Sequence, residues 1–105
     1  MEIRILDGAI KTSAAQHAYI VTRVTGAAGR LRDAPCTIDV RLTDLNGPKG
    51  GIDKRCAIVV TPPGLGTLRV EEQAADYYSA IDAAAAALKQ SIARLLERTK
   101  ANGPR

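Results

Sequence analysis

Apolar and polar residues repeat along this chain with two different periods, and these periods predict its elements. Ile3 and Ile5 share one face of an alternating stretch over residues 2–7, a first strand ended by Asp7-Gly8. Ser13 followed three residues later by Gln16 has capping-box spacing and opens a helix over residues 14–25, with Ile20 and Val24 inward. Residues 29–35 read as loop. Cys36, Ile38, Val40 and Leu42 alternate with Thr37, Asp39 and Arg41, the mark of a half-buried strand. Asn46–Gly51 breaks the pattern. A strand over residues 54–61 then turns Cys56, Ile58 and Val60 inward. After the turn at residues 62–66, a short strand over residues 67–71 does the same with Leu68 and Val70. Last, Tyr78, Ile81, Ala85, Leu88, Ile92 and Leu95 are spaced 3, 4, 3, 4 and 3 apart, one inward stripe of a helix over residues 74–99. Asn102-Gly103-Pro104 stops it.

The order β-α-β-β-β-α predicts an α+β fold. Three successive strands joined by turns form an antiparallel meander. Polar alternate positions leave one face of the four-stranded sheet open, so both helices pack on the other. One domain over residues 1–101, with a disordered tail at 102–105, accounts for the chain.

Composition narrows the core. Of 105 residues 46% are apolar, but aromatics are only 3%, with no Phe or Trp. The core rests on Ile, Leu and Val, and the alanine run 83–87 lets the helices approach closely. No apolar run is long enough to span a membrane, and the N-terminus lacks the shape of a signal peptide. With the reduced thiols this predicts a cytoplasmic protein. Residues 1–88 hold ten basic and ten acidic side chains; residues 89–105 hold five against Glu97, so the whole net charge of +4 lies there. A localised basic patch is either the footprint of a polyanion binder or a solvated helix end favoured by the dipole.

Few residues suggest chemistry. His17, the only histidine, sits on a surface helix. Cys36 and Cys56 occupy inward strand positions, where thiols are inert, and with one histidine they cannot complete a four-ligand zinc site. Asp39, Asp44 and Asp53 read as solvent-facing. The Asn46–Gly51 loop lacks the phosphate-loop pattern, though Lys49 at its tip could touch a phosphate. No enzyme and no cofactor are expected. The helix end is more informative. Arg94 and Arg98 share a stripe flanked on its other side by Lys89 and Lys100, and Arg23, Arg30 and Arg32 come from the first helix and its exit. Merged on one sheet face, these suit the phosphates of structured RNA. Single-strand base recognition fits poorly, because stacking needs aromatics and the stripe assigns Tyr78 to the core.

Several segments resemble one family. Ile10–Ala15, Tyr19-Ile20 and Arg23-Val24 are similar to its first-helix region, and Gly66–Glu71 to its last strand. Asp76-Tyr77-Tyr78-Ser79-Ala80-Ile81-Asp82 is similar to its Asp-x-Tyr-x-Ala-Ile-Asp opening of the second helix. The chain over residues 1–100 thus resembles the short-form ribosome hibernation promoting factors and ribosome-associated translation inhibitors, the sigma-54 modulation protein family. The resemblance implies the fold derived above, which is also the general plan of double-stranded RNA-binding domains. It implies a stress-response translation regulator bound to rRNA in the decoding region of the small ribosomal subunit, without enzymatic activity. The chain departs from the family at Gly26 and Ala87, where basic residues are usual, and in its longer Asn46–Gly51 hairpin.

The expected RNA-binding residues are Arg23, Arg30, Lys49, Lys54, Lys89, Arg94, Arg98 and Lys100. The expected partner is the small subunit and its rRNA, with neither membrane nor DNA involved. The alternative is a protein-interaction module that retains the fold, lacks the RNA site and forms a homodimer through the open sheet face.

Overall fold

The computed structural model describes residues 1–7, 11–45, 52–61, 64 and 66–101, with side chains through Arg98. Its elements are β1 (Glu2–Ile5), α1 (Ala14–Ala27), a 3-10 turn (Gly29–Leu31), β2 (Thr37–Asp44), β3 (Lys54–Thr61), β4 (Leu68–Ala74) and α2 (Tyr77–Ala101). The strands form one mixed sheet in the order β1-β2-β3-β4. β1 lies parallel to β2, with Ile3 beside Ile38 and Ile5 beside Val40, because α1 carries the chain back across the sheet between them. β2, β3 and β4 form the antiparallel meander expected from the short connections.

The core lies on one face. Ile38, Val40 and Leu42 of β2, Cys56, Ile58 and Val60 of β3 and Val70 of β4 meet Ile20 and Val24 of α1 and Ile81, Leu88 and Ile92 of α2. Each large aliphatic side chain so buried contributes roughly 1.5–3 kcal/mol relative to exposure. Ala80, Ala84 and Ala85 are buried beside them and let α2 lie close to the layer beneath it. Both thiols are free and buried, and burial pushes the Cys56 thiol up to about 12.

Four details differ from the sequence expectation. The segment over residues 29–35 contains a 3-10 turn whose Leu31 is buried, so it closes the core floor. β4 continues to Ala74, because its ladder to β3 persists through Glu72 and Gln73 even where the alternation lapses. Asp53 is only 7% exposed, held there by a 3.0 Å bond to Lys54 Nζ, instead of facing solvent. Tyr78 is 41% exposed and lies outside the core. The expected tail at 102–105 lies outside the described residues.

Both helices begin on side-chain caps. The Ser13 hydroxyl accepts the Gln16 amide at 3.1 Å, and Gln16 Oε1 accepts the Ser13 amide at 3.0 Å, the complete capping box. Asp76 precedes α2; its carboxylate accepts the Ser79 amide at 2.8 Å and the Ser79 hydroxyl at 2.9 Å. These bonds hold the Asp76 carboxyl below its ordinary value of 3.8. A depressed carboxylate contributes stability at pH above its unfolded value and loses it as pH falls through the folded one. The Asp76→Asn protein should keep most of its stability at pH 7, since Asn also caps well, and should lose part of the acid dependence. The Asp76→Ala protein should be less stable throughout the neutral range. Urea unfolding followed between pH 7 and pH 3 distinguishes these outcomes.

Candidate functional site

α1 and α2 run in the same direction on the sheet, and a groove follows their seam. At one end Tyr19 and Tyr78 meet edge to face, with ring centroids 5.0 Å apart and planes at 80°. One turn along α2, Asp82 binds two groups of α1: it accepts the Tyr19 hydroxyl at 2.6 Å and pairs with Arg23 Nε at 2.8 Å. The hydrogen bond to Asp82, with desolvation adding to it, raises the Tyr19 phenol above its ordinary value, so it remains a donor at neutral pH. Arg23 and Asp82 are both about half exposed, so their pair positions the guanidinium more than it stabilises the fold.

Beyond Asp82 the seam opens into two adjoining depressions of about 290 Å³ and 350 Å³. The first lies between Thr22, Arg23 and Gly26 of α1 and Ala85, Ala86 and Lys89 of α2. The second continues past Gly29 to Arg30 and Arg32, with Lys89, Ile92 and Ala93 opposite. Alanines and glycine form much of the lining, and Arg23, Arg30, Arg32 and Lys89 supply the charge. Among the described residues, no ion pair involves Arg30, Arg32 or Lys89. Such a shallow cationic trough, with no nucleophile and base brought together on its walls, is suited to seating phosphates.

The sequence-derived residues separate accordingly. Arg23, Arg30 and Lys89 line the groove, and Arg32 joins them. Arg94 and Arg98 are exposed but follow Lys89 by five and nine residues, about 140° and 180° round the helix at 3.6 residues per turn. They occupy the flank of α2 turned away from α1, so the basic residues form two groups. Lys54 is elsewhere: it bonds Asp53 at 3.0 Å and Asp44 at 3.3 Å, 5.8 Å from the Tyr77 ring at the start of α2. The hydrogen bond to Asp53 is the largest cause raising its pKa, followed on the raising side by Asp44, so Lys54 stays charged within that cluster. Lys49 lies outside the described residues, as does the side chain of Lys100. His17 is exposed on α1. No group of three His, Cys, Asp or Glu that could hold a metal occurs among the described residues, and no described helix is long and apolar enough to cross a membrane.

The open sheet face has a different character. Arg4 grips Asp39 with two bonds of 2.7 and 3.0 Å, Glu71 pairs with Arg69 and sits 3.9 Å from Arg55, and Ala57 and Val59 provide a small apolar centre. Gly26 and Ala87, where the resemblance implies basic residues, fall in distinct places. Ala87 is partly buried against the core, whereas Gly26 lines both depressions, and a Cβ there would meet nothing within 4 Å.

A family model described as "Sigma 54 modulation protein / S30EA ribosomal protein" matches residues 3–100. No curated protein matches the chain. Among solved structures it is similar to the N-terminal domain of Protein Y from Thermus thermophilus, at 30% identity and a TM-score of 0.72 over 90% of this chain and 98% of that one. It shares the fold of a ribosomal subunit interface protein from Coxiella burnetii, at 16% identity and a TM-score of 0.74 over 90% and 96% of the two chains.

The open space at Gly26 has a measurable consequence. Gly26→Ala should stabilise the protein by up to roughly 0.5 kcal/mol, less than the helix-interior difference between these residues because Gly26 lies in the last turn of α1. Thermal unfolding measures it, and a loss of stability would show that the groove cannot accept a side chain there.

Proposed function

The chain belongs to the sigma 54 modulation protein / S30EA ribosomal protein family, and on that premise we propose that it is a ribosome hibernation factor that binds rRNA of the small subunit in the decoding region. It works in the cytoplasm under stress, without catalysis, by occupying the path of messenger and transfer RNA. The observation that carries the RNA reading is the cationic groove between α1 and α2. Arg30, Arg32 and Lys89 reach it without an acidic partner among the described residues, and Arg23 is oriented into it by Asp82. Guanidinium groups spaced along a trough recognise phosphates bidentately, and structured RNA is read chiefly through the geometry of its backbone. Arg94 and Arg98 extend the cationic surface over the outside of α2. Gly26 leaves room where the family usually has a basic residue, and Lys89 and Arg30 place charge on either side of that room.

Binding of this kind releases counterions, with a log–log salt slope near 0.9 per phosphate contact. Co-sedimentation with purified small subunits should therefore weaken about a hundredfold between 50 mM and 200 mM salt if roughly four contacts form. The Arg30→Ala, Lys89→Ala double variant should lower the slope by about two, and Arg94→Ala by about one. Lys54→Ala should leave the slope unchanged, because that lysine is committed to Asp44 and Asp53. A salt-independent affinity, or no co-sedimentation at 50 mM salt, would refute the reading.

A further inference from the structure

We propose that Tyr78 is a stacking platform for one unpaired RNA base at the head of the helical groove. The inference rests on the groove's reading as an RNA site and goes further, since phosphate contacts need no aromatic ring. Tyr78 is 41% exposed in a chain with no Phe or Trp. The other two tyrosines are half-buried, Tyr19 in the helix seam and Tyr77 beside Lys54. The ring has one aromatic neighbour, and the turn that carries it is capped. It meets Tyr19 edge to face at 5.0 Å, and Tyr19 is in turn fixed by its 2.6 Å bond to Asp82. The Asp76–Ser79 bonds order the helical turn that carries it. The contact with Tyr19 reduces the conformational entropy that the ring has to lose when a ligand packs on it.

The contact with Tyr19 uses the edge of one ring and one face of the other. At least one face of Tyr78 is therefore not taken by Tyr19, and a π-face is what a nucleobase stacks on. Position completes the case. Tyr78, Asp82 and Lys89 are four and seven residues apart on the flank of α2 that faces α1, so Tyr78 stands about 16 Å along the helix from Lys89. Arg23 lies between them, bound to Asp82. A strand whose phosphates rest on Lys89 and Arg23 passes Tyr78 within a few nucleotides. An unpaired base at that point can turn out of the strand onto the ring, as fully paired bases cannot.

The test compares two RNA stems of identical sequence, one carrying a single unpaired adenosine. The wild-type protein should bind the bulged stem about tenfold more tightly, within the range for one stacked base. Tyr78→Phe should keep that preference. Tyr78→Leu should abolish it while leaving the salt slope on the paired stem unchanged. With no tryptophan in the chain, tyrosine emission of the wild-type protein supplies a measurement independent of any variant: the bulged stem should quench it and the paired stem should not. Equal affinity for the two stems, absence of selective quenching, or a preference that survives in a folded Tyr78→Leu protein overturns the stacking role and leaves the groove reading intact. Failure of both stems to bind overturns the two together.

Discussion

A core without phenylalanine or tryptophan has to be assembled from many small, tightly spaced aliphatic contacts, and the architecture depends on this constraint. One sheet face supplies Ile38, Val40, Ile58 and Val60, and only helices lying close to it and to each other can cover those side chains. The alanines of α2 make this feasible. Ala80, Ala84 and Ala85 are buried without adding bulk, so a 25-residue helix settles onto the sheet with α1 alongside. Ala85 and its small neighbours on the α1 side leave the seam shallow on its solvent side. The groove is a by-product of close packing: its lining of Ala85, Ala86 and Ala93 continues the surface that lets the helices meet.

Charge placement follows from that geometry. On the sheet's open face Arg4 pairs with Asp39 and Arg69 with Glu71. Lys54 is neutralised at the other end by Asp44 and Asp53. The helical layer is different. Its groove brings Arg23, Arg30, Arg32 and Lys89 together from two helices and a turn, and Asp82 pairs only with Arg23. In a chain whose first 88 residues balance to zero, this local imbalance results from where acids are absent as much as from where bases are present.

Much of the fold was legible in the sequence because alternation and 3–4 spacing report directly on which side of an element is buried. The meander and the helix positions followed from those patterns and from connection lengths, whereas the parallel pairing of β1 with β2 was not read from them. The readings that failed did so at element margins. Tyr78 continues the spacing of Ile81 and Leu88, yet it stands at the first turn of α2, on the flank toward α1, where the ring reaches Tyr19 instead of the sheet. Asp53 read as solvent-facing because its burial depends on the bond from Lys54 Nζ, which spacing does not report. The candidate site was legible as a set of basic residues but not as a surface. Spacing alone put Lys89, Arg94 and Arg98 on one helix; only the position of α1 separates the lysine that faces the groove from the arginines that face away. Arg32 was visible as charge, but its place depends on the 3-10 turn that precedes it.

Asp82 ties fold and site together. One carboxylate holds Tyr19 at 2.6 Å and Arg23 at 2.8 Å, so a single side chain of α2 bridges to two groups of α1 and orients a groove guanidinium. Two separate partners would each require ordering, at a cost in side-chain entropy of up to roughly 2 kcal/mol for a long charged chain. A shared acceptor needs to be ordered only once, and α2 already orders it. The consequence runs in both directions. Helix packing fixes Arg23 where it can meet a phosphate, and a phosphate arriving at Arg23 competes for the charge that Asp82 now satisfies. If Arg23 releases Asp82 to meet RNA, the Tyr19 hydroxyl remains on the carboxylate and the seam stays closed, so the site can exchange one anionic partner for another without disturbing the core beneath it.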